Sequence, residues 1–222
     1  MRSAPAGISG RRRAAWVLLC GALLVAGFVT VNDQLLDWVE QHYGRRARKI
    51  LVKWDRLIQD YRGRDEREKL EAANRFFNRR IRFVDDIRHW KKRDYWATPI
   101  ETMVTFGGDC EDFAIAKYFT LRAMGVPDEK LRLVYVRAKR LRQAHMVLAY
   151  YPSRDADPLI LDNITRRIRR GSERTDLVPV YSFNSTYLWM TRERRSGVVA
   201  GSANQIDLWR ELRARMERGP VG

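Results

Sequence analysis

Sulfur and imidazole are both scarce in this chain of 222 residues: two cysteines, Cys20 and Cys110, and three histidines, His42, His89 and His145. Cys20 lies in an uncharged N-terminal run, so the rest of the chain holds a single thiol and no partner for an internal disulfide. Zinc-knuckle spacing is absent. Acid is also in deficit, with 27 Asp and Glu against 43 Lys and Arg and a net charge of +16. The excess arginine is spread along the whole chain, and no nucleic-acid motif accompanies it. That distribution points to a solvated basic surface, facing an acidic partner or anionic lipid, rather than to nucleic-acid binding. Internal repeats and low-complexity linkers are missing as well. A hydrophobic share of 45% with 11% aromatics suits one globular domain with a real core.

The long hydrophobic run that does exist, "AAWVLLCGALLVAGFVTV" at residues 14–31, follows Arg11, Arg12 and Arg13. It is long for the core of a signal peptide and short for a comfortable spanning helix. Residues 1–31 are therefore expected to be a signal peptide or an N-terminal membrane anchor, the cleaved signal preferred. Residues 32–222 are expected to be the folded domain, outside the cytoplasm, with membrane contact only through an uncleaved leader. A lone cysteine in an oxidising compartment is a liability unless it is buried or used.

Apolar spacing predicts a helix over 34–62 with a break near Gly44, a second over 66–83, and an aromatic loop from Asp85 that Pro99 closes. In "FGGDCEDFAIAKYF" (106–119) Asp109 reads as an N-cap and Cys110 as the first helical residue, with Gly125 and Pro127 ending the helix. Strand-like runs follow at 131–136, 145–151, 158–163 and 177–184, then an amphipathic segment at 203–218. Helices first and strands later indicate an α+β domain with an antiparallel sheet.

Cys110 stands out chemically. A helix N-terminus stabilises a thiolate and offers backbone N–H groups to an oxyanion. The two glycines ahead of it are expected to allow a tight turn and substrate approach. His145 opens a strand, and a hairpin centred on Ser153 and Arg154 places it directly opposite Asp162, Cβ atoms roughly 5 Å apart. A register slip of one residue would separate them. Asp162 would then orient the imidazole and leave its other nitrogen for Cys110, a Cys-His-Asp arrangement. The bland alternative is a buried structural cysteine and a strand-edge histidine. Asp109, Glu111 and Asp112, taken alone, read as an N-cap and two complements to the helix dipole. Trp90, Tyr95 and Trp96 read as cleft lining or as core, and "RAKRLRQ" before His145 as a soluble loop.

The blocks "DYWATPIETMVTFGGDCEDFAIAKYFTLRAMGVPDEKLRLVYV", "HMVLAYY", "LILDN" and "PVYSFN" resemble the bacterial transglutaminase-like cysteine proteinases of the LapG type, over roughly residues 74–190. The resemblance implies a papain-like, transglutaminase-like core with N-terminal helices packed on an antiparallel sheet and the nucleophile at a helix start. It implies Cys110 as nucleophile, His145 as base and Asp162 as third member. It also implies Ca²⁺ beside the thiol, held by Asp109, Glu111 and Asp112. Relatives of this type act in the periplasm on the N-terminal region of a large repeat adhesin, at a small-residue site. An inner-membrane cyclic-di-GMP receptor sequesters them. The alternatives are a transglutaminase-like acyltransferase using the same residues, or a non-catalytic calcium-dependent binding module.

Overall fold

Asn32 caps the first helix, α1 (Asp33–Tyr61), by accepting the Leu35 amide at 2.8 Å. The computed structural model describes residues 31–190 and 198–219; the expected leader, up to residue 30, lies outside them. Gly44, at φ +82°, breaks α1 into two arms, as the sequence indicates, because a left-handed residue cannot continue a right-handed helix. Both arms bury one stripe, including Val39, Leu51 and Trp54. Helix α2 (Glu66–Arg80) is capped by Asp65 and stops three residues short of the predicted end. Arg82–Phe83 instead forms strand β1, pairing in parallel with β2 (Gly107–Gly108). Between them lie a short α3 (Asp86–His89) and α4 (Pro99–Thr105). The latter starts with Pro99 inside a Thr98–Glu101 capping box.

The chain then enters α5 (Cys110–Ala123), the central helix, with nearly every side chain from Asp112 to Leu121 buried. The remaining strands are β3 (Leu131–Ala138), β4 (Gln143–Tyr150), β5 (Leu159–Leu161), β6 (Arg169–Arg170), β7 (Leu177–Phe183), β8 (Tyr187–Met190) and β9 (Val198–Ser202). They form one antiparallel sheet in the order β6-β5-β4-β3-β7-β8-β9. Strands β8 and β9 have no counterpart among the sequence expectations. Their side chains are largely exposed, so they lack a clean alternating pattern. Helix α6 (Asp207–Arg218) closes the fold.

Alternation sorts the sheet into two faces. Leu131, Leu133, Leu148 and Leu161 meet α5 and the other helices in the main core. Val134, Val136, Val147 and Ile160 form a smaller cluster behind. Trp54 Nε1 donates to Thr120 Oγ1 at 2.8 Å and so ties α1 to α5 in the dry core, a bond contributing about 1 kcal/mol. Trp209 of α6 is fully buried and stacks on Phe119. The fold is thus the α+β arrangement expected, with α5 laid across the sheet and its N-terminus beside β4. Among the described residues no helix is long and apolar enough to cross a membrane.

Candidate active site

The paired glycines ahead of Cys110 are there for close packing, not for a turn. A Cβ on Gly107 would lie 2.8 Å from the His89 ring, and one on Gly108 would lie 2.5 Å from an Asp112 oxygen. The left-handed residue that reverses the chain is Phe106, at φ +56°. This corrects the sequence reading, which places the turn in the glycines. His89 is accounted for: its Nε2 meets Thr105 Oγ1 at 2.9 Å. His42 stacks on Trp38 at the surface. Trp96 belongs to the core, 12° from parallel with Phe183. Tyr95 donates to Glu101 and packs under Arg215.

That leaves His145. Its Nε2 lies 2.9 Å from Asp162 Oδ1, both residues almost fully buried. An ionised carboxylate only accepts, so Nε2 carries the proton and Nδ1 is the basic nitrogen. Burial alone would raise the Asp162 pKa. The hydrogen bond and charge of His145, with the charge of Arg174, outweigh it and hold the carboxyl down to about 2. The predicted register is two residues off: Leu148 faces Leu161, so Asp162 stands diagonally from His145 rather than opposite. A slip of two preserves which face a side chain points to, and the pair still meets.

Asp162 is held on every side. Its carbonyl accepts from Asn78 Nδ2 at 2.8 Å and from the fully buried Lys117 Nζ at 3.1 Å, and its Oδ1 also accepts the Ile164 amide at 3.1 Å. Arg174 Nη2 lies 2.8 Å from Oδ2, off the hydrogen-bonding direction, as a charge–charge contact. Asp176 grips the same guanidinium through two bonds of 3.0 Å. Burial lowers the Lys117 pKa to about 7 against the pull of Asp162. Sequence reasoning selects neither Arg174 nor Lys117. A lysine inside an apolar helical stripe, "FAIAKYF", is the one signal that could have found Lys117.

Cys110 is partly buried at the first position of α5. Its sulfur lies against the backbone amide of Met146, the residue after His145, and that amide favours the thiolate. The thiol hydrogen bond, however, goes to Glu111 Oε2 at 3.0 Å. Burial first, then the charge and hydrogen bond of Glu111, then Asp109, push the thiol well above its usual range. Those acids outweigh the helix N-terminus, because a full negative charge in contact exceeds a partial positive one.

The acids themselves form a cluster wider than the sequence suggests. Three groups have ligand atoms within 4.8 Å of one another: Asp109, Cys110 and Glu111; Asp86, Asp109 and Asp112; Asp86, Asp94 and Glu111. Burial and mutual repulsion raise Asp86 to about 6 and push Asp94 and Asp109 upward, with Glu111 the recurring neighbour. Asp86 Oδ1 and Asp109 Oδ1 are buried without a hydrogen-bond partner. Asp112 is more occupied, accepting from Ala97 N at 2.7 Å and Asp109 N at 3.3 Å. Crowded carboxylates with orphaned oxygens are a donor set for a hard divalent cation, and Ca²⁺ fits it. Asp86 and Asp94 escape a sequence reading because only the fold brings their loop against α5.

A family profile described as bacterial transglutaminase-like cysteine proteinase matches residues 53–194. No curated protein matches the sequence. Among solved structures, Legionella pneumophila LapG is 39% identical with a TM-score of 0.75, covering 86% of this chain and 100% of that one. Its EGTA-treated form is 40% identical at 0.76, over 86% and 100%. Its calcium-bound form is 38% identical at 0.70, over 82% and 99%.

Proposed function

The chain belongs to the bacterial transglutaminase-like cysteine proteinases, and from that premise we propose that it is a calcium-dependent cysteine endopeptidase with Cys110, His145 and Asp162 as its catalytic residues. The buried His145–Asp162 pair, one residue from the amide that touches the thiol, carries this reading. His145 Nδ1 takes the thiol proton, and the sulfur attacks a peptide carbonyl. The developing oxyanion is received by the Cys110 N–H at the helix start. The imidazolium, stabilised by Asp162, protonates the leaving amine, and water then releases the acyl group with His145 again as base.

Asp86, Asp94, Asp109 and Glu111, with Asp112 behind them, would hold Ca²⁺. The ion would neutralise the charge around the sulfur and draw Glu111 from it. That a calcium-bound form of the Legionella protein exists supports a role for Ca²⁺ here. By the same resemblance, the substrate is the N-terminal region of a large surface adhesin. The enzyme acts in the periplasm to control biofilm attachment, and an inner-membrane cyclic-di-GMP receptor holds it back.

The test is to incubate the protein and Ca²⁺ with a candidate adhesin's N-terminal fragment and an excess of a primary amine. Two shorter products ending in a free carboxylate are expected. Amine adduct as the main product would identify an acyltransferase instead, and an intact fragment, cleaved by a bona fide relative, would remove the protease reading.

Arg174 acts here as a positioning residue for Asp162. Arg174→Gln removes a cation that, with the His145 hydrogen bond, keeps this carboxylate ionised, so its pKa rises. Catalytic support present at all pH above about 2 in the wild type is then lost at a higher pH. The acid limb of the kcat/KM profile should therefore steepen at its low-pH end, where protonation of Asp162 adds to that of the other catalytic groups. Arg174→Lys should reverse part of this change. A purely structural Arg174 predicts a lower Tm with a superimposable pH profile.

A further inference from the structure

The back face of the sheet holds a partly open cavity of about 50 Å³, outside the catalytic cleft. Its walls are apolar, among them Val134, Val147, Ile160 and Leu177, yet two arginines line it as well, Arg132 and Arg174. They are 7% and 5% exposed. Arg174 is neutralised by Asp162 and Asp176, and what it has left is an unpartnered Nη1.

Arg132 differs. Among the described residues no carboxylate pairs with it, and its Nε has no hydrogen-bond partner. Its guanidinium sits 4.1 Å from the Trp189 ring and 4.7 Å from that of Tyr151. Ring faces return part of the lost hydration of a cation, but they give its in-plane N–H groups no acceptor. The charged neighbour that bears on it is another cation, Arg154. Asp157, which faces Tyr151, is bound to Ser172. A buried arginine without a counter-charge is among the costliest burials a fold can hold.

We propose that this cavity is a binding site for a small monovalent anion, a halide or a short-chain carboxylate, whose charge Arg132 neutralises and to which the free N–H of Arg174 contributes a hydrogen bond. The volume suits that class: one water needs about 10–15 Å³ measured the same way, so 50 Å³ admits an ion of chloride or acetate size. Apolar walls discriminate against sulfate and phosphate, which surrender hydration reluctantly. The inference is independent of the proteolytic reading, because it needs neither Cys110 nor Ca²⁺.

The test is thermal unfolding of the full chain at constant ionic strength, with chloride or acetate replacing sulfate, for wild type and Arg132→Met. Sulfate stabilises proteins generally, so its removal alone should lower Tm. The site predicts the opposite for the wild type: a rise of a few degrees as chloride or acetate goes from about 1 to 100 mM. Chloride and acetate arms separate halide from carboxylate preference. Arg132→Met should lose the rise, yet in sulfate it should unfold no earlier than wild type, since an apolar residue replaces an uncompensated charge. An equal anion response in both proteins, or none in either, overturns the proposal. Should Arg132→Met fail to fold, bromide-soaked wild-type crystals decide: an anomalous peak in the cavity upholds the site, and an empty cavity overturns it.

Discussion

Cys110→Ala and His145→Ala are each expected to lower peptide cleavage roughly 10,000-fold or more, with little change in Tm for Cys110→Ala and a lower Tm for His145→Ala, which strips the buried Asp162 carboxylate of a hydrogen bond. The two losses should not add, since the thiol and its base act as one unit. The physical basis differs between them. Without Cys110 no nucleophile remains. Without His145 the sulfur survives but loses the cation that balances its negative charge, in a setting where Glu111 and Asp109 already disfavour the thiolate. Alkylation makes this visible: in the presence of Ca²⁺, mapped to Cys110, iodoacetamide labelling of His145→Ala should require a higher pH than wild type. A non-catalytic calcium-dependent binding module predicts intact function in Cys110→Ala, and that result would end the enzyme reading.

The second large effect is on calcium. Chelation with EGTA should cut cleavage by roughly two or more orders of magnitude, reversed by Ca²⁺ and poorly by Mg²⁺, which demands a smaller octahedral shell. Glu111 is the informative residue, because it has two roles in conflict. It accepts the thiol proton at 3.0 Å, which silences the sulfur, and it is one of the acids that would hold the ion. Glu111→Gln removes a ligand charge, so activity should be low and Ca²⁺ should fail to restore it at concentrations that saturate wild type. Were Glu111 only a brake on the thiol, the same variant would cleave without Ca²⁺ at near wild-type rate. Full activity in EGTA for the unaltered enzyme would remove the metal from the account altogether.

Where sequence and structure part, the causes are specific. A hairpin centred on Ser153 and Arg154 sits one residue too early, which moves its register by two. Because strand side chains alternate with a period of two, His145 and Asp162 keep their shared face, and the pair is still recovered. The glycines resemble turn residues, although what excludes a side chain there is the His89 ring and the Asp112 carboxylate, arriving from other parts of the chain. Asp86 and Asp94 look like loop acids, as surface acids usually do. Arg174 lies just beyond a two-residue strand and has no local pattern to mark it.

What the sequence determined by itself is whatever depends on neighbours along the chain. The break of α1 at Gly44, the start of α5 at Cys110 and the face on which His145 lies all follow from local conformational preference and periodicity. Only the tertiary structure decided which acids gather about the sulfur, which cation braces Asp162, and that Arg132 is buried without a counter-charge among the described residues. These are effects of burial and Coulomb interaction between residues distant in sequence. Their strength depends on distance and on exclusion of water, and neither is encoded in any local stretch of residues.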